Sequence, residues 1–137
     1  MILLDTNVVS ELMKDAAEPA VEQWFVQNED ETVLPAIALA ELSYGVARLE
    51  DSRRRRHLQA RLTEWRLKYA VRTLAFGPSA AMRYGPMLAT VVANGRSMTL
   101  ADAQIAAMAL DEQATVATRN VKDFEPSGTL LVNPWGL

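Results

Sequence analysis

The first seven residues, Met1-Ile2-Leu3-Leu4-Asp5-Thr6-Asn7, decide how the rest of the chain is organised. The uninterrupted apolar run Ile2–Leu4 is typical of a short strand that is buried on both faces of a parallel sheet. Asp5 ends the strand, and the short polar side chains of Thr6 and Asn7 can cap a following helix. Because open α/β sheets bind ligands beyond the carboxyl ends of their strands, Asp5 is a candidate site residue. Its alternative role is that of a helix cap alone.

Strands and helices are predicted to alternate along the rest of the chain. The predicted strands are Ile2–Leu4, Thr32–Leu34, Val71–Phe76, Thr115–Thr118 and Leu130–Val132. The predicted helices cover about residues 6–13, 19–31, 35–49, 51–69, 78–93 and 99–113, and 119–127 is expected to be a loop or short turn. The helix 35–49 is apolar nearly all round and is expected to be central. The pattern favours an α/β fold with a parallel sheet of four to five strands flanked by helices.

Length and composition limit the possible classes of protein. A chain of 137 residues is the size of one domain, so residues 1–137 are expected to form a single unit. The absence of cysteine excludes disulfides and thiolate metal sites and fits a reducing cytosol. No apolar run approaches the length of a membrane span, and the four apolar residues before Asp5 are too few for a signal peptide. A soluble, cytoplasmic protein is therefore expected.

Charge is distributed unevenly around a net charge of −3. From Asp51 to Arg72 there are eight Lys or Arg residues and two acids, a local charge of +6, which leaves −9 for the remainder. The run Arg53–Arg56 is thus either a contact surface for a polyanion or a solvated helix face. The single histidine, His57, lies within this basic segment and is expected to be a surface residue rather than a ligand or base.

Two acids lie in helices that are otherwise apolar. Glu41 has Ile37, Ala38, Tyr44 and Gly45 as its neighbours one turn away, so its carboxylate is expected to leave from a packed face. Such a carboxylate has to be protonated, paired or bound to a cation, and Arg48 is the alternative partner. Asp102 follows Thr99 by three residues, which also fits a capping box. The start of its helix should nevertheless lie at the same sheet edge as Asp5.

A fourth polar region follows the strand that ends near Thr118. Thr118, Asn120 and Asp123 could all present oxygen atoms at the carboxyl edge, although a polar turn is the simpler interpretation. Acids from three separated segments, without His or Cys, would make a site of hard oxygen ligands. Such a site suits Mg²⁺ or Mn²⁺ rather than Zn²⁺.

The order of these motifs resembles that of PIN-domain ribonuclease toxins of the VapC/FitB type. The resemblance covers essentially the whole chain and rests on an N-terminal strand ending in Asp5-Thr6-Asn7 and on three further segments: Ala-Glu-Leu-Ser-Tyr-Gly, Leu-Ala-Asp-Ala-Gln-Ile-Ala and Ala-Thr-Arg-Asn-Val-Lys-Asp-Phe. It implies a PIN-like parallel sheet, a Mg²⁺- or Mn²⁺-dependent endoribonuclease and a homodimer. It also implies inhibition by a small DNA-binding antitoxin and an RNA substrate, with tRNA as one candidate.

Carried over position by position, the resemblance implies that Asp5, Glu41 and Asp102 bind the metal ion and are catalytic. Many relatives have a fourth acid where this chain has Asn120, and Asp123 three residues later is the alternative catalytic residue and metal ligand. The expected supporting residues are Thr6, Asn7 and Thr118.

Two rival functions come from other classes. An aspartyl-nucleophile phosphatase also places an Asp at the end of its first strand, but usually has a second acid two residues later, where this chain has Asn7. A noncatalytic binding module with the same fold would keep the resemblance without the activity. Metal-dependent cleavage of RNA by the purified protein would discriminate among the three.

Overall fold

A computed structural model describes residues 1–136 of the protein. Its strands are β1 (Ile2–Leu4), β2 (Thr32–Pro35), β3 (Thr73–Leu74), β4 (Thr115–Ala117) and β5 (Leu130–Val132). Its helices are α1 (Thr6–Leu12), α2 (Pro19–Asn28), α3 (Ala36–Ala47), α4 (Arg53–Lys68), α5 (Pro78–Ala93), α6 (Leu100–Glu112) and α7 (Val121–Phe124), with 3₁₀ turns at Glu29–Glu31 and Glu125–Ser127. The predicted alternation of strands and helices is confirmed.

The five strands form one parallel sheet in the order β3-β2-β1-β4-β5. The chain proceeds outward from β1 to β2 and β3 on one side, and from β4 to β5 on the other. The strand order therefore reverses between β1 and β4, which are paired with Leu3 opposite Val116 and Leu4 opposite Ala117. Such a reversal leaves a crevice at the carboxyl ends of the two strands, where open α/β sheets bind their ligands.

The apolar run of β1 supplies both faces of the sheet. Leu4 packs with α1 to α4 on one face, and Leu3 packs with α5 and α6 on the other; both side chains are fully buried. Successive side chains of a strand point to opposite faces, so only a continuous apolar sequence can fill two cores at once. This confirms the prediction of a strand buried on both sides.

Helix α3 differs from its prediction as a central helix. Ala38, Leu42 and Val46 are buried, but Ala40 is exposed and Tyr44 is 71% exposed. Because α3 covers only one face of the sheet, its opposite side lies in water whatever its residues are. The apolar composition of α3 predicted burial on all sides. Only the residues spaced four apart on the side that faces the core are buried.

The predicted strand Val71–Phe76 is shortened to two residues. Val71 is 95% exposed, while the Arg72 carbonyl accepts a hydrogen bond from the Leu34 N–H and begins the pairing with β2. As an edge strand, β3 pairs with a neighbour on one side only, so both ends of the predicted strand Val71–Phe76 stay outside the sheet.

Among residues 1–136, no helix is long and apolar enough to cross a lipid bilayer.

Candidate active site

Asp5 lies at the reversal of strand order and is held there by hydrogen bonds from three residues. Its Oδ1 accepts from the Thr6 N–H at 2.8 Å. Its Oδ2 accepts from the Thr118 hydroxyl at 2.8 Å and from the Asn7 amide at 3.1 Å. Asp5 is thus the N-cap of α1, as its alternative interpretation held. It is also joined to the end of β4 through Thr118, which a helix cap alone does not require.

Burial makes Asp5 difficult to ionise. Only 4% of the residue is exposed, and this loss of hydration is the main reason why its pKa rises from 3.8 to about 6. The hydrogen bonds from Thr118 and Thr6 lower the pKa, and the charges of Asp102 and Glu41 raise it further. The charges of Asp102 and Glu41 therefore oppose the ionisation of Asp5.

Thr118 connects the segments that surround Asp5. While its hydroxyl donates to Asp5, the same oxygen accepts from the Asn7 amide at 3.3 Å and from the Asn120 N–H at 3.0 Å. Asn7 in turn accepts from the Arg119 N–H at 3.2 Å. The predicted supporting residues Thr6, Asn7 and Thr118 thus all contact Asp5 and fix its orientation.

Glu41 is exposed, and its prediction as a carboxylate on a packed face is wrong. It lies on the solvent side of α3, where its Oε1 accepts from the Thr6 hydroxyl at 2.6 Å. Among residues 1–136 it forms no ion pair with Arg48. The burial argument fails because α3 is not covered on that side, but the hydrogen bond places Glu41 next to Thr6, whose backbone N–H donates to Asp5.

Asp102 lies in the first turn of α6, and Thr99 caps that helix by accepting from the Asp102 N–H at 3.2 Å. The capping interpretation is therefore correct for Thr99. Asp102 is half-buried, and burial raises the pKa of its carboxyl, with hydrogen bonding to Thr99 opposing the rise. The charges of Glu41 and Asp123 raise the pKa further, so both acids lie within electrostatic reach of Asp102.

Asn120 and Asp123 occupy different places in the segment after β4. Asn120 is exposed at the N-cap of α7, and its carbonyl accepts from the Asp123 N–H at 3.0 Å. Asp123 is also exposed, and its negative charge acts on Asp102. Of the two candidates for the fourth position, Asp123 is the one that carries a charge, and that charge reaches Asp102.

The donor set fits a hard divalent cation in its chemistry. It consists of carboxylates, and ionised Asp5 keeps one lone pair free because three of its four are engaged. As the side chains stand, residues 1–136 contain no group of three or more Asp, Glu or His that could hold an ion. Exposed Glu41 and half-buried Asp102 have room to turn, whereas Asp5 is fixed. The site thus has one rigid candidate ligand and others that would adjust around it.

Glu11 is a buried acid that was not predicted from the sequence. Glu11 on α1 is 8% exposed; it pairs with Lys14 at 3.0 Å and accepts from the Glu18 N–H at 3.1 Å. These contacts tie the loop before α2 to α1, so the role of Glu11 is structural. The nearby Lys14 was the only signal for it in the sequence.

His57 is a surface residue as predicted, and its Nε2 lies 3.0 Å from Asp15 Oδ1.

Comparison with known proteins identifies the fold and its relatives. The family model described as PIN domain matches residues 2–125. The chain is 39% identical to VapC ribonuclease Y4jK of Sinorhizobium fredii over 98% of both chains. It is 36% identical to Toxin FitB of Neisseria gonorrhoeae, over 98% of this chain and 99% of the relative. The crystal structure of FitAcB from Neisseria gonorrhoeae superposes with a TM-score of 0.91 at 35% identity and covers 100% of both chains.

Proposed function

This chain belongs to the PIN-domain family, in its VapC/FitB branch, and on that premise we propose that it is a toxin that hydrolyses RNA phosphodiester bonds with Mg²⁺ or Mn²⁺. One observation carries the proposal. Asp5 is buried at the reversal of strand order with a pKa of about 6, and the charges of Asp102 and Glu41, which come from two other segments, help to raise that pKa. Capping α1 does not by itself need a carboxylate that is so costly to ionise, since Ser, Thr or Asn can cap a helix, so a function accounts for this acid better.

The residues that would hold the cation are Asp5, Asp102 and Glu41, with Asp123 as the fourth acid. When bound, the cation would supply the positive charge that lets these acids ionise together, and would activate water for attack on phosphorus. The protein's own contribution is orientation. Thr6, Asn7 and Thr118 hold the Asp5 carboxylate in one position, and the hydrogen bond from Thr6 keeps Glu41 beside it.

Cleavage of a structured RNA by the purified protein tests this proposal. We expect wild type to cleave in Mg²⁺ or Mn²⁺ and to lose activity in excess chelator, and we expect Asp5→Asn to be inactive in both. Asp30→Asn, which changes an exposed acid in the 3₁₀ turn at 29–31, is the matched control and should cleave normally. Cleavage that survives the chelator, or full activity in Asp5→Asn, would contradict the assignment.

The same experiment addresses the two rival functions. A noncatalytic module would not cleave under any condition. An aspartyl-nucleophile phosphatase would need an acid at position 7, whereas the Asn7 amide donates to Asp5 and cannot transfer a proton in its place. Hydrolysis of a small phosphomonoester without cleavage of RNA would favour that class instead.

A protein partner forms the second part of the proposal. A toxin has to be restrained in the cell that makes it, and we propose that a small DNA-binding antitoxin does so. Of the large apolar side chains of α1 and α2, Val8 and Phe25 are buried in the core and do not form its binding groove. Met13 lines a groove of about 250 Å³, here called the Glu41 groove, together with Thr6, Ser10, Glu41, Arg48, Arg54 and Leu58 among others.

An antitoxin segment in the Glu41 groove could direct an Arg or Lys toward Glu41. A guanidinium competes with a divalent cation for the same carboxylate oxygens. Inhibition should then weaken as Mg²⁺ is raised, and it should require that basic residue of the antitoxin. Equal inhibition at all Mg²⁺ concentrations by an antitoxin without the residue would refute this mode. We also propose that the toxin is a homodimer, which light scattering of the purified protein would check.

A further inference from the structure

We propose that RNA crosses the site between two basic flanks, with Arg48 and Arg54 contacting its phosphates on one side of Asp5 and Arg119 and Lys122 on the other. This inference rests on the proposed ribonuclease function and adds the residues that would position the substrate.

The first flank lies along the Glu41 groove. One part of this groove is lined by Thr6 and Glu41, which belong to the candidate site. Arg48 lies seven residues beyond Glu41, two turns along the helical direction of α3 and about 10 Å away. Arg54, at the start of α4, lines the same groove. Within residues 1–136, neither arginine forms an ion pair with an acid, so both guanidinium groups can meet an anion.

Three other basic residues of this region, Arg56, Arg61 and Arg72, are engaged elsewhere. Arg56 pairs with Asp51 at 3.2 Å, and Arg61 donates to the Leu12 carbonyl at 3.1 Å. Arg72 donates to two backbone carbonyls beside β2. The basic segment predicted from the sequence is therefore not one continuous contact surface. Arg54 is the member of the run Arg53–Arg56 that lines the groove.

The second flank is a groove of about 480 Å³, here called the Arg119 groove, which is lined by the basic residues Arg119 and Lys122, the acids Asp123 and Glu125, and Asn120 and Asn133 among others. The guanidinium of Arg119 lies over the ring of Trp135, 5.1 Å from its centre, and its backbone N–H donates to Asn7. The stacking limits the freedom of a long side chain before any ligand arrives. A guanidinium held in this way loses less entropy when it binds a phosphate.

The strand order places Asp5 between the two grooves. The Glu41 groove is built on α1, which follows β1, and on α3 and α4, which follow β2. The Arg119 groove is built on the segments that follow β4 and β5. Since β1 and β4 are central neighbours in the sheet, the grooves lie on opposite sides of the hydrogen bond between Asp5 and Thr118. A strand of RNA that contacts both flanks would pass over Asp5.

Phosphodiester backbone is the ligand that fits this arrangement. The whole molecule carries a charge of −3 and the centre of the path is acidic, so long-range attraction does not bring a polyanion here. Local Arg and Lys contacts at both ends would have to hold it, and arginine binds phosphate oxygens through two parallel N–H donors.

Binding of a single-stranded RNA oligonucleotide to the Asp5→Asn protein in chelator tests the path without cleavage or metal. Fluorescence anisotropy would give the Kd over a range of salt concentrations. We expect Arg48→Gln with Arg54→Gln to weaken binding about tenfold and to reduce the slope of log K against log salt by about 1.4, since each phosphate contact on a single strand contributes about 0.7. Arg119→Gln with Lys122→Gln should have a similar effect.

The matched control removes the same charge away from both grooves. Arg53 and Arg66 are exposed and line neither groove, so their double Gln variant should keep the slope. Replacing Arg48 and Arg54 by Lys should retain most of the slope, which separates lost charge from misfolding.

An equal loss in the control, or an unchanged slope in either flank variant, would overturn the two-flank path. A change at Arg48 and Arg54 that affects only antitoxin binding would assign the Glu41 groove to the protein partner and also overturn it. A protein that binds RNA with unchanged slopes would still leave the proposed ribonuclease function standing. A protein that neither binds nor cleaves RNA would refute both.

Discussion

Replacing Asp5 by Asn should stabilise the metal-free protein, although the residue is central to the candidate site. The pKa of Asp5 rises from 3.8 to about 6 on folding, which corresponds to a cost of about 3 kcal/mol for the ionised form. Asn removes that cost. With its amide nitrogen at the Oδ1 position, Asn would keep the two bonds to Oδ2 but would face the Thr6 N–H, which now donates to Oδ1, and one lost hydrogen bond costs about 1 kcal/mol. The net gain at pH 8 should be about 2 kcal/mol.

The pH dependence identifies the cause. Between pH 4 and pH 6 the folded protein keeps the Asp5 proton while the unfolded chain loses it, so the contribution of Asp5 to stability falls as the pH rises through this range. Below pH 4 both states are protonated and the advantage of Asn disappears. The difference between the variant and wild type should therefore grow from pH 4 to pH 6 and stay constant above it.

Urea unfolding in chelator at several pH values measures this difference. Asp30→Asn, which changes an exposed acid, is the control and should follow wild type at every pH. Mg²⁺ should stabilise wild type more than Asp5→Asn, because the ion offsets the cost of ionising the buried Asp5 carboxyl and the variant has no such cost to offset. A variant that is no more stable than wild type at pH 8, or a difference that is the same at pH 4 and pH 8, would refute the explanation by burial.

Three further results are expected. Thr118→Val should lower stability by about 2 kcal/mol in urea unfolding and reduce cleavage, since its hydroxyl serves Asp5 as a donor and two N–H groups as an acceptor; Thr118→Ser should retain most of both. Asn120→Ala should reduce turnover less than Asp102→Ala in a cleavage assay, and equal loss in a folded protein would reverse that ranking. Asp123→Asn should lower the pKa of Asp102 in a carboxyl NMR titration of metal-free protein, because the Asp123 charge helps to raise it; an unchanged titration would separate the two acids.

The sequence by itself determined the architecture. A continuous apolar run such as Ile2–Leu4 can be satisfied only between two layers of helices, and the alternation with amphipathic segments then requires a parallel sheet. The order of four short motifs identified the family, and the carboxyl-edge rule singled out Asp5, which the structure places at the reversal of strand order. These properties depend on local patterns, which a single sequence carries in full.

The tertiary structure alone decided which side chains are buried and what they contact. Glu41 was predicted to be buried from its apolar neighbours on α3, yet no layer covers that side of the helix. The strand order likewise decided that Thr118, 113 residues away, donates to Asp5. The packing of α4 beside α1 and α3 decided that Arg54 lines the Glu41 groove, whereas Arg56 pairs with Asp51. Exposure and long-range contacts depend on how the layers of helices and sheet pack together. The spacing of apolar residues along one helix does not show which side of that helix another layer will cover.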